Sequence, residues 1–465
     1  MKNLKITYRS ALALAITLLA AQSGYAAVAE SEAQALGTSL TKFGANPEAS
    51  ADGSIPAYDG GLKNAPKVGE NNYPNPFPNE KPLYSITQAN MQEYAELLNE
   101  GTTAMLQRFP DYRIDVYPTR RTMEYPEWFL ENTAKNATTA QLEGDVAGDK
   151  VIGAAEDGLP YQGIPFPIPQ NGYEVMWNHF FRYAAAVTTQ ESNNWLVDSS
   201  GSRSELPGIY GAYLHPWSEK TGEMRKATND SMFGFWSVLT SPPTSAGTQF
   251  LNYYLPDATD TSKVWFYTPG QRRVRRAPEF SYDTPMGSYA GVIVWDEPFG
   301  FTGRMDRFDM KLVGKKEMIV PYNVFGTTNQ ATSEELLGKD FLKPEYVRFE
   351  KRRVWVVEAN RKADARHAYS KRNFYVEEDC WCLVGTESFD DAGKIWRVAQ
   401  IHNFPSWDVG GMNSDTWMFQ DLRKGNYIII NSGRADPGTY VRSYDSHKGR
   451  GLALNPKALQ GKAVR

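Results

Sequence analysis

"KVWFYTPGQRRVRRAP" runs from Lys263 to Pro278, and its reading decides the fold. Its first half is aromatic and β-branched, a composition that fits the pleated, half-buried surface of a strand. Thr268-Pro269-Gly270 is turn chemistry, with proline presetting φ and glycine free to take a positive one. A second run follows, carrying Arg272, Arg273, Arg275 and Arg276. The pattern predicts strand, turn, strand. Side chains alternate along a strand, so Trp265 and Tyr267 share one face. In the second strand Val274 stands with Arg272 and Arg276, which leaves Arg273 and Arg275 on the other face. Neither face is cleanly apolar. That suits a sheet edge, a barrel rim, or a place opposite acids such as Glu279, Asp283, Asp306 and Asp309.

Outward from this hairpin the strand pattern continues. From about residue 188 onward, runs of strand-forming residues recur between turn signals. Glu345 to Phe404 reads as four strands, divided by a loop at Asn360–Arg366, a tight turn at Glu377–Asp379 and Asp-Asp-Ala-Gly at 390–393. Connections this short force antiparallel neighbours. Helical periodicity lies before the strands. One helix is expected from Ser85 to Pro110, with apolar residues at 91, 94, 97, 98, 105 and 106. A second begins at Pro126, and a third near Asn171 runs toward Val187. Residues 30–84 are crowded with Gly, Pro, Asn and Asp and read as an irregular strap, punctuated by Tyr58, Tyr73 and Phe77. The layout is α+β, one large antiparallel sheet with a few helices.

At the start, Lys2, Lys5 and Arg9 precede an apolar run from Ala11 to Ala21 and a small-residue region. These are the parts of a signal peptide over residues 1–29, cleaved after Ala26 or Ala29. The apolar run falls short of the roughly 20 residues that a spanning helix needs. The expectation is an exported periplasmic protein that is not integral to the membrane. Loss of the three cations moves the net charge from −4 to −7. A global positive field is then missing, which argues against a nucleic-acid partner. Cys380 and Cys382 are the two cysteines. They read as partly buried thiols in a hairpin, with a bond between them as the alternative.

Catalytic signatures are missing. There is no nucleophile elbow; Gly287-Ser-Tyr-Ala-Gly has its serine in the wrong place. Zincin, Walker A and dinucleotide motifs are also lacking. Histidines 179, 215, 367, 402 and 447 are scattered, with no two at metal-ligand spacing. His179 sits among aromatics on the third helix, where burial favours the neutral ring. No enzyme, cofactor or metal is expected. The aromatic load, 12 Trp, 26 Tyr and 22 Phe, is unusual. It serves either a sheet–helix core or the lining of an apolar cavity under a curled sheet. Candidates for such a lining are Phe235, Trp236, Trp265, Tyr267, Trp355 and Trp396, with Arg273 and Arg275 placed to contact an anionic headgroup.

The hairpin resembles the paired strands of the outer-membrane lipoprotein-sorting proteins, the LolA/LolB-like group. More closely, the chain is similar to an uncharacterised proteobacterial periplasmic family labelled lipoprotein-sorting-like. The stretches that carry this are "ADGSIPAYDGGL" (51–62), "NYPNPFPNEKPLYSIT" (72–87), "YRIDVYPTRRT" (112–122), "PFPIPQNGYEVMWNHFFRY" (165–183), "DRFDMKLVGKKEMIVPYN" (306–323) and "RVWVVEANRKADARHAYSKRNFYVEED" (353–379). The resemblance implies a curled antiparallel half-barrel with helices as a lid over a cavity for acyl chains or similar ligands. It implies one such body over residues 85–445, followed by a tail at 446–465. It also implies a carrier or binding protein for a hydrophobic, lipid-like ligand, working beside an envelope exporter of the resistance-nodulation type. An accessory subunit without a ligand is the alternative, and a lipid hydrolase a more distant one. The resemblance supplies no catalytic residues to carry over. The chain is much longer than the lipoprotein carriers, which sets lipoprotein itself apart from the expected cargo.

Overall fold

Strands follow one another in chain order across most of a single sheet, because almost every connection is too short to cross over. The computed structural model describes residues 27–144, 148–257, 263–277 and 282–461. Residues 1–26 of the expected signal peptide and Glu279 lie outside the described residues. Strands of four or more residues are β1 (Val187–Val197), β2 (Ile209–Leu214), β3 (Phe233–Leu239), β4 (Gln249–Tyr254), β5 (Lys263–Thr268) and β6 (Arg273–Arg276). They continue with β7 (Phe308–Pro321), β8 (Phe349–Arg361), β9 (Lys371–Glu377), β10 (Leu383–Phe389), β11 (Ile395–Pro405), β12 (Met412–Asp421), β13 (Asn426–Ser432) and β14 (Tyr440–Tyr444).

Two meanders share one long strand. β2 to β6 pair in sequence, and β2 pairs with the first half of β1. β7 to β13 also pair in sequence, and β13 returns to the second half of β1. The sheet is antiparallel apart from a single parallel contact, Phe349 with Val116. It does not close: β6 pairs with β5 alone and β7 with β8 alone among the described strands. This is the expected α+β half-barrel. The four strands read between Glu345 and Phe404 are β8 to β11.

Few helices accompany the sheet. α1 (Glu100–Arg108), α2 (Glu127–Thr139) and α3 (Gly172–Phe181) are those of eight residues or more. The helix expected over 85–110 is broken. Residues 84–86 form a short strand and 91–97 a 3₁₀ segment. Asn99 then starts α1 afresh, its side chain accepting from the Thr102 amide at 2.7 Å. A side-chain cap satisfies one of the free amides of a new helix start, so the apolar spacing survives while the helix does not. α3 is capped by Asn171 and stops at Phe181 rather than running on; Arg182 is already extended and leads into β1. Every residue of α3 is buried, as expected of a helix apolar on most sides and packed on β7, β8 and β9.

The irregular N-terminal residues are fastened at their aromatics. Tyr58 donates to the Met123 carbonyl at 2.8 Å, and Tyr73, fully buried, donates to Asp408 at 2.7 Å. The Trp381 indole donates to the Phe43 carbonyl at 3.0 Å. Cys380 and Cys382, on either side of Trp381, are disulfide-bonded and fully buried, where free thiols were expected. The turn between β9 and β10 brings their Cα atoms to 5.1 Å. That is shorter than the i, i+2 spacing of a regular strand and within disulfide reach.

Beside this turn lies a buried charge network. Arg352 reaches Glu377 at 2.6 Å and Asp379 at 2.8 Å, and Arg121 reaches Asp379 at 2.6 Å, all with side chains at most 2 % exposed. Removing one partner strands the others without water. The substitution Arg352→Met is expected to lower unfolding free energy by about 3–5 kcal/mol in urea titrations. A loss below about 1 kcal/mol would show that these charges are solvated.

Candidate functional site

The alternation of β2 to β5 divides their side chains between two covers. Toward one face point Ile209, Tyr213, Phe235, Ser237, Leu239, Phe250, Asn252, Tyr254 and Val264. Toward the other point Tyr210, Ala212, Trp236, Val238, Leu251, Tyr253, Trp265 and Tyr267, which pack against Ala453, Leu454, Ala458 and Leu459 near the C-terminus. The second face is filled. The first is roofed by residues 282–300, with Met286, Ser288, Tyr289, Trp295, Pro298 and Phe299 facing it, and is walled at one end by Trp417. A mostly apolar cavity of about 130 Å³, partly open to solvent, remains between them.

Two adjacent carboxylates hold the roof. Asp296 accepts from Arg372 at 2.9 Å and pairs with His367 at 3.1 Å. Glu297 meets Arg397 at 3.0 Å and accepts from the Tyr369 hydroxyl at 2.7 Å. Burial pushes the Asp296 carboxyl up, but Arg372 and His367 more than reverse it, so it stays below its ordinary value. Within the cavity burial lifts the Tyr254 hydroxyl to about 12, and those of Tyr213 and Tyr289 also rise. All three remain protonated. The site can therefore offer apolar surface and hydroxyl donors.

Of the lining candidates read from the sequence, Phe235 is on the cavity wall. Trp236, Trp265 and Tyr267 lie on the opposite face. Trp355 stacks on Trp381, ring centroids 6.0 Å apart, with the Lys315 ammonium 4.5 Å from its own ring. Trp396 lies between the guanidiniums of Arg397 and Arg423 and donates to Asp421 at 3.1 Å. Arg275 and Arg273 are opposite Phe266 and Thr268, on the face that Val264 presents to the cavity, one strand further out. Both are exposed and make no ion pair among the described residues. Asp306 is engaged by Arg304 at 3.3 Å instead. Residues 282–300 were read in the sequence only for Asp283 and the serine of Gly287–Gly291, not as a lining; their apolar side chains lie in a Gly- and Pro-containing loop with no strand or helix period to mark them.

A smaller polar chamber of about 10 Å³ adjoins the cavity, sharing Tyr213 and Phe299 with it and holding Arg182, His215, Ser414 and Asp415. Phe299 occupies the left-handed region at φ 58°, a costly backbone for a bulky residue that its surroundings must hold in place.

A half-barrel sheet with one roofed apolar face defines the class of protein. Within that class, residues 85–460 match the family described as a protein of unknown function, DUF1329, and the chain belongs to that family. An uncharacterized Pseudomonas aeruginosa protein is 35% identical over 470 residues, covering all of both chains. Solved structures similar to it include a Vibrio parahaemolyticus domain described as outer membrane lipoprotein-sorting (13% identity, 62% of this chain and 98% of that one, TM-score 0.41). A DUF1329 protein from Desulfovibrio piger gives 14%, 62%, 97% and 0.40 in the same order. A LolA superfamily protein from Nitrosomonas europaea gives 9%, 59%, 93% and 0.33. The architecture itself rests on the strand registers given above. No helix among the described residues is long and apolar enough to cross a membrane.

The histidines near the polar chamber carry a pH dependence. Burial first, and the neighbouring Arg182 charge second, hold His179 and His215 well below 6.5. Unfolded, these rings take up protons as the pH falls through about 6.5, while the folded ones do not, so acidification favours unfolding. The stability that His179 and His215 supply is expected to fall between pH 7 and pH 5, opposed by Glu174 and Glu377, whose carboxyls burial raises to about 7. NMR of the ring carbons should find both imidazoles still neutral at pH 5; a protonated ring there would contradict their burial.

Proposed function

We propose that this protein is a periplasmic binding or carrier protein for a hydrophobic, lipid-like ligand, held between β2–β5 and residues 282–300. The observation that carries this reading is the cavity itself. Loops normally bury their apolar side chains against a sheet without leaving room. Here the roof stands off and the space beneath it stays apolar. About 130 Å³ is the scale of an apolar cavity that accepts a benzene-sized group, so a longer chain must continue through the open part. The exposed guanidiniums of Arg273 and Arg275, on the same face one strand further out, would draw an anionic amphiphile toward the cavity. Export by the N-terminal segment and delivery to an envelope transport system complete the proposal. In it residues 85–445 are the ligand-binding body, and residues 30–84 are a strap over it.

The test is uptake of the uncharged dye N-phenyl-1-naphthylamine by the full chain, followed by its fluorescence. The variant Phe235→Asp, which sets a charge in the wall, is expected to weaken binding by about ten-fold or more. Trp265→Phe, on the filled face, is expected to leave it unchanged. With an anionic naphthalene sulfonate, Arg273→Gln with Arg275→Gln should slow association a few-fold at low salt and hardly at all at high salt. Equal binding by wild type and Phe235→Asp would rule out this cavity as the site.

A further inference from the structure

Buried arginines in this protein meet carboxylates: Arg352 meets Glu377, Arg372 meets Asp296, Arg397 meets Glu297 and Arg434 meets Asp415. Arg182 does not. It is 93 % buried, yet among the described residues its guanidinium makes one hydrogen bond, from Nη1 to the His179 carbonyl at 2.7 Å, and no ion pair. Its Nε finds no acceptor. In the same chamber His215 Nδ1 and Ser414 Oγ are also buried and unpartnered. Three unpartnered polar groups thus belong to the lining of one small space, and buried polar atoms ordinarily find a partner in protein, water or ligand.

The charge balance of the chamber is positive. Asp415 faces it too, but Arg434 grips both of its carboxylate oxygens at 3.1 Å. Burial and the Arg182 charge keep His215 neutral. What remains is the uncompensated guanidinium, whose own pKa burial pulls down to about 10, so it is still charged at neutral pH. A buried charge with no partner is strongly unfavourable. An anion supplied by a ligand would remove that cost.

We infer that the Arg182 chamber is an anion subsite for the carboxylate of an amphiphile whose hydrocarbon part occupies the adjoining cavity. This rests on the hydrophobic-carrier reading and adds the ligand's class, a long-chain monocarboxylate held head-inward. Size selects the head. A space of about 10 Å³ is on the scale of one water molecule, so a head group can enter it by a single oxygen, and a carboxylate carries less bulk behind that oxygen than a phosphodiester. Tyr213 and Phe299 line both spaces and touch edge to face, ring centroids 5.2 Å apart. Arg273 and Arg275 then act at the approach, and Arg182 in the final complex.

The experiment titrates the full chain with cis-parinaric acid and, separately, with its methyl ester, following polyene fluorescence at pH 8. The wild type should bind the acid about ten-fold or more tightly than the ester, the range for a hydrogen bond to a charged partner. In Arg182→Met the acid should fall to the affinity of the ester. The melting temperature of that variant should not drop, because an apolar side chain replaces an unpaired buried cation. Equal affinities for acid and ester in the wild type overturn the subsite and leave the carrier reading standing. Binding of neither probe overturns the carrier reading itself. A preference that survives in Arg182→Met overturns the assignment to Arg182. If that variant fails to fold, the wild-type ratio and a crystal structure of the acid complex decide. A carboxylate on Arg182 Nε supports the subsite, and an ordered water there with the carboxylate elsewhere overturns it.

Discussion

Asp296 and Glu297, neighbours in the chain, are each held under the sheet by a buried arginine, and the site depends on that double anchorage. Arg372 comes from β9 and Arg397 from β11, so one short segment is tied to two strands. Buried ion pairs contribute little net stability, because desolvation offsets most of the attraction. They do fix position. Trp295 and Pro298–Phe299 lie on either side of the two carboxylates and are thereby set over β2–β5. A roof held by apolar contacts alone would be free to settle onto the sheet and close the space.

Much of this architecture was legible beforehand, and the reason is local. β8 to β11 begin and end where turn residues interrupt strand-forming runs. The hairpin of β5 and β6 forms at Thr268–Arg272 because proline and glycine leave the chain few alternatives. The helix expected over 85–110 failed because Asn99 can cap a fresh start, a preference that apolar spacing does not register. The bond between Cys380 and Cys382 depends on the turn that draws them together, which strand geometry alone does not supply.

The site was less legible. Alternation puts Trp265 and Tyr267 on one face of their strand and parts Arg273 and Arg275 from Val274 in the next, while the register between the two strands sets these pairs on opposite faces of the sheet. It says nothing about which face is roofed and which is filled, since that is decided by segments far away in the chain. Residues 452–459 fill one side and residues 282–300 stand over the other. Phe235 and Trp236 were both singled out for their aromatic character, and as chain neighbours in a strand they fall on opposite faces, Phe235 toward the cavity and Trp236 toward the filled side. Arg182 carried no signal at all. An arginine after an apolar helix reads as a favourable charge near the helix end, and only its surroundings show that no acid answers it. The four arginines of the opening stretch, which draw the eye first, are exposed or partly so and mark the sheet's edge.

The central claim is that the roofed face holds a hydrophobic ligand in the cell. The direct measurement is mass spectrometry of an organic-solvent extract from protein purified out of its native cells without detergent. The account predicts a lipid-like compound in near-stoichiometric amount, lost when Phe235 is changed to aspartate. An extract with no hydrophobic compound above that of the variant would contradict it.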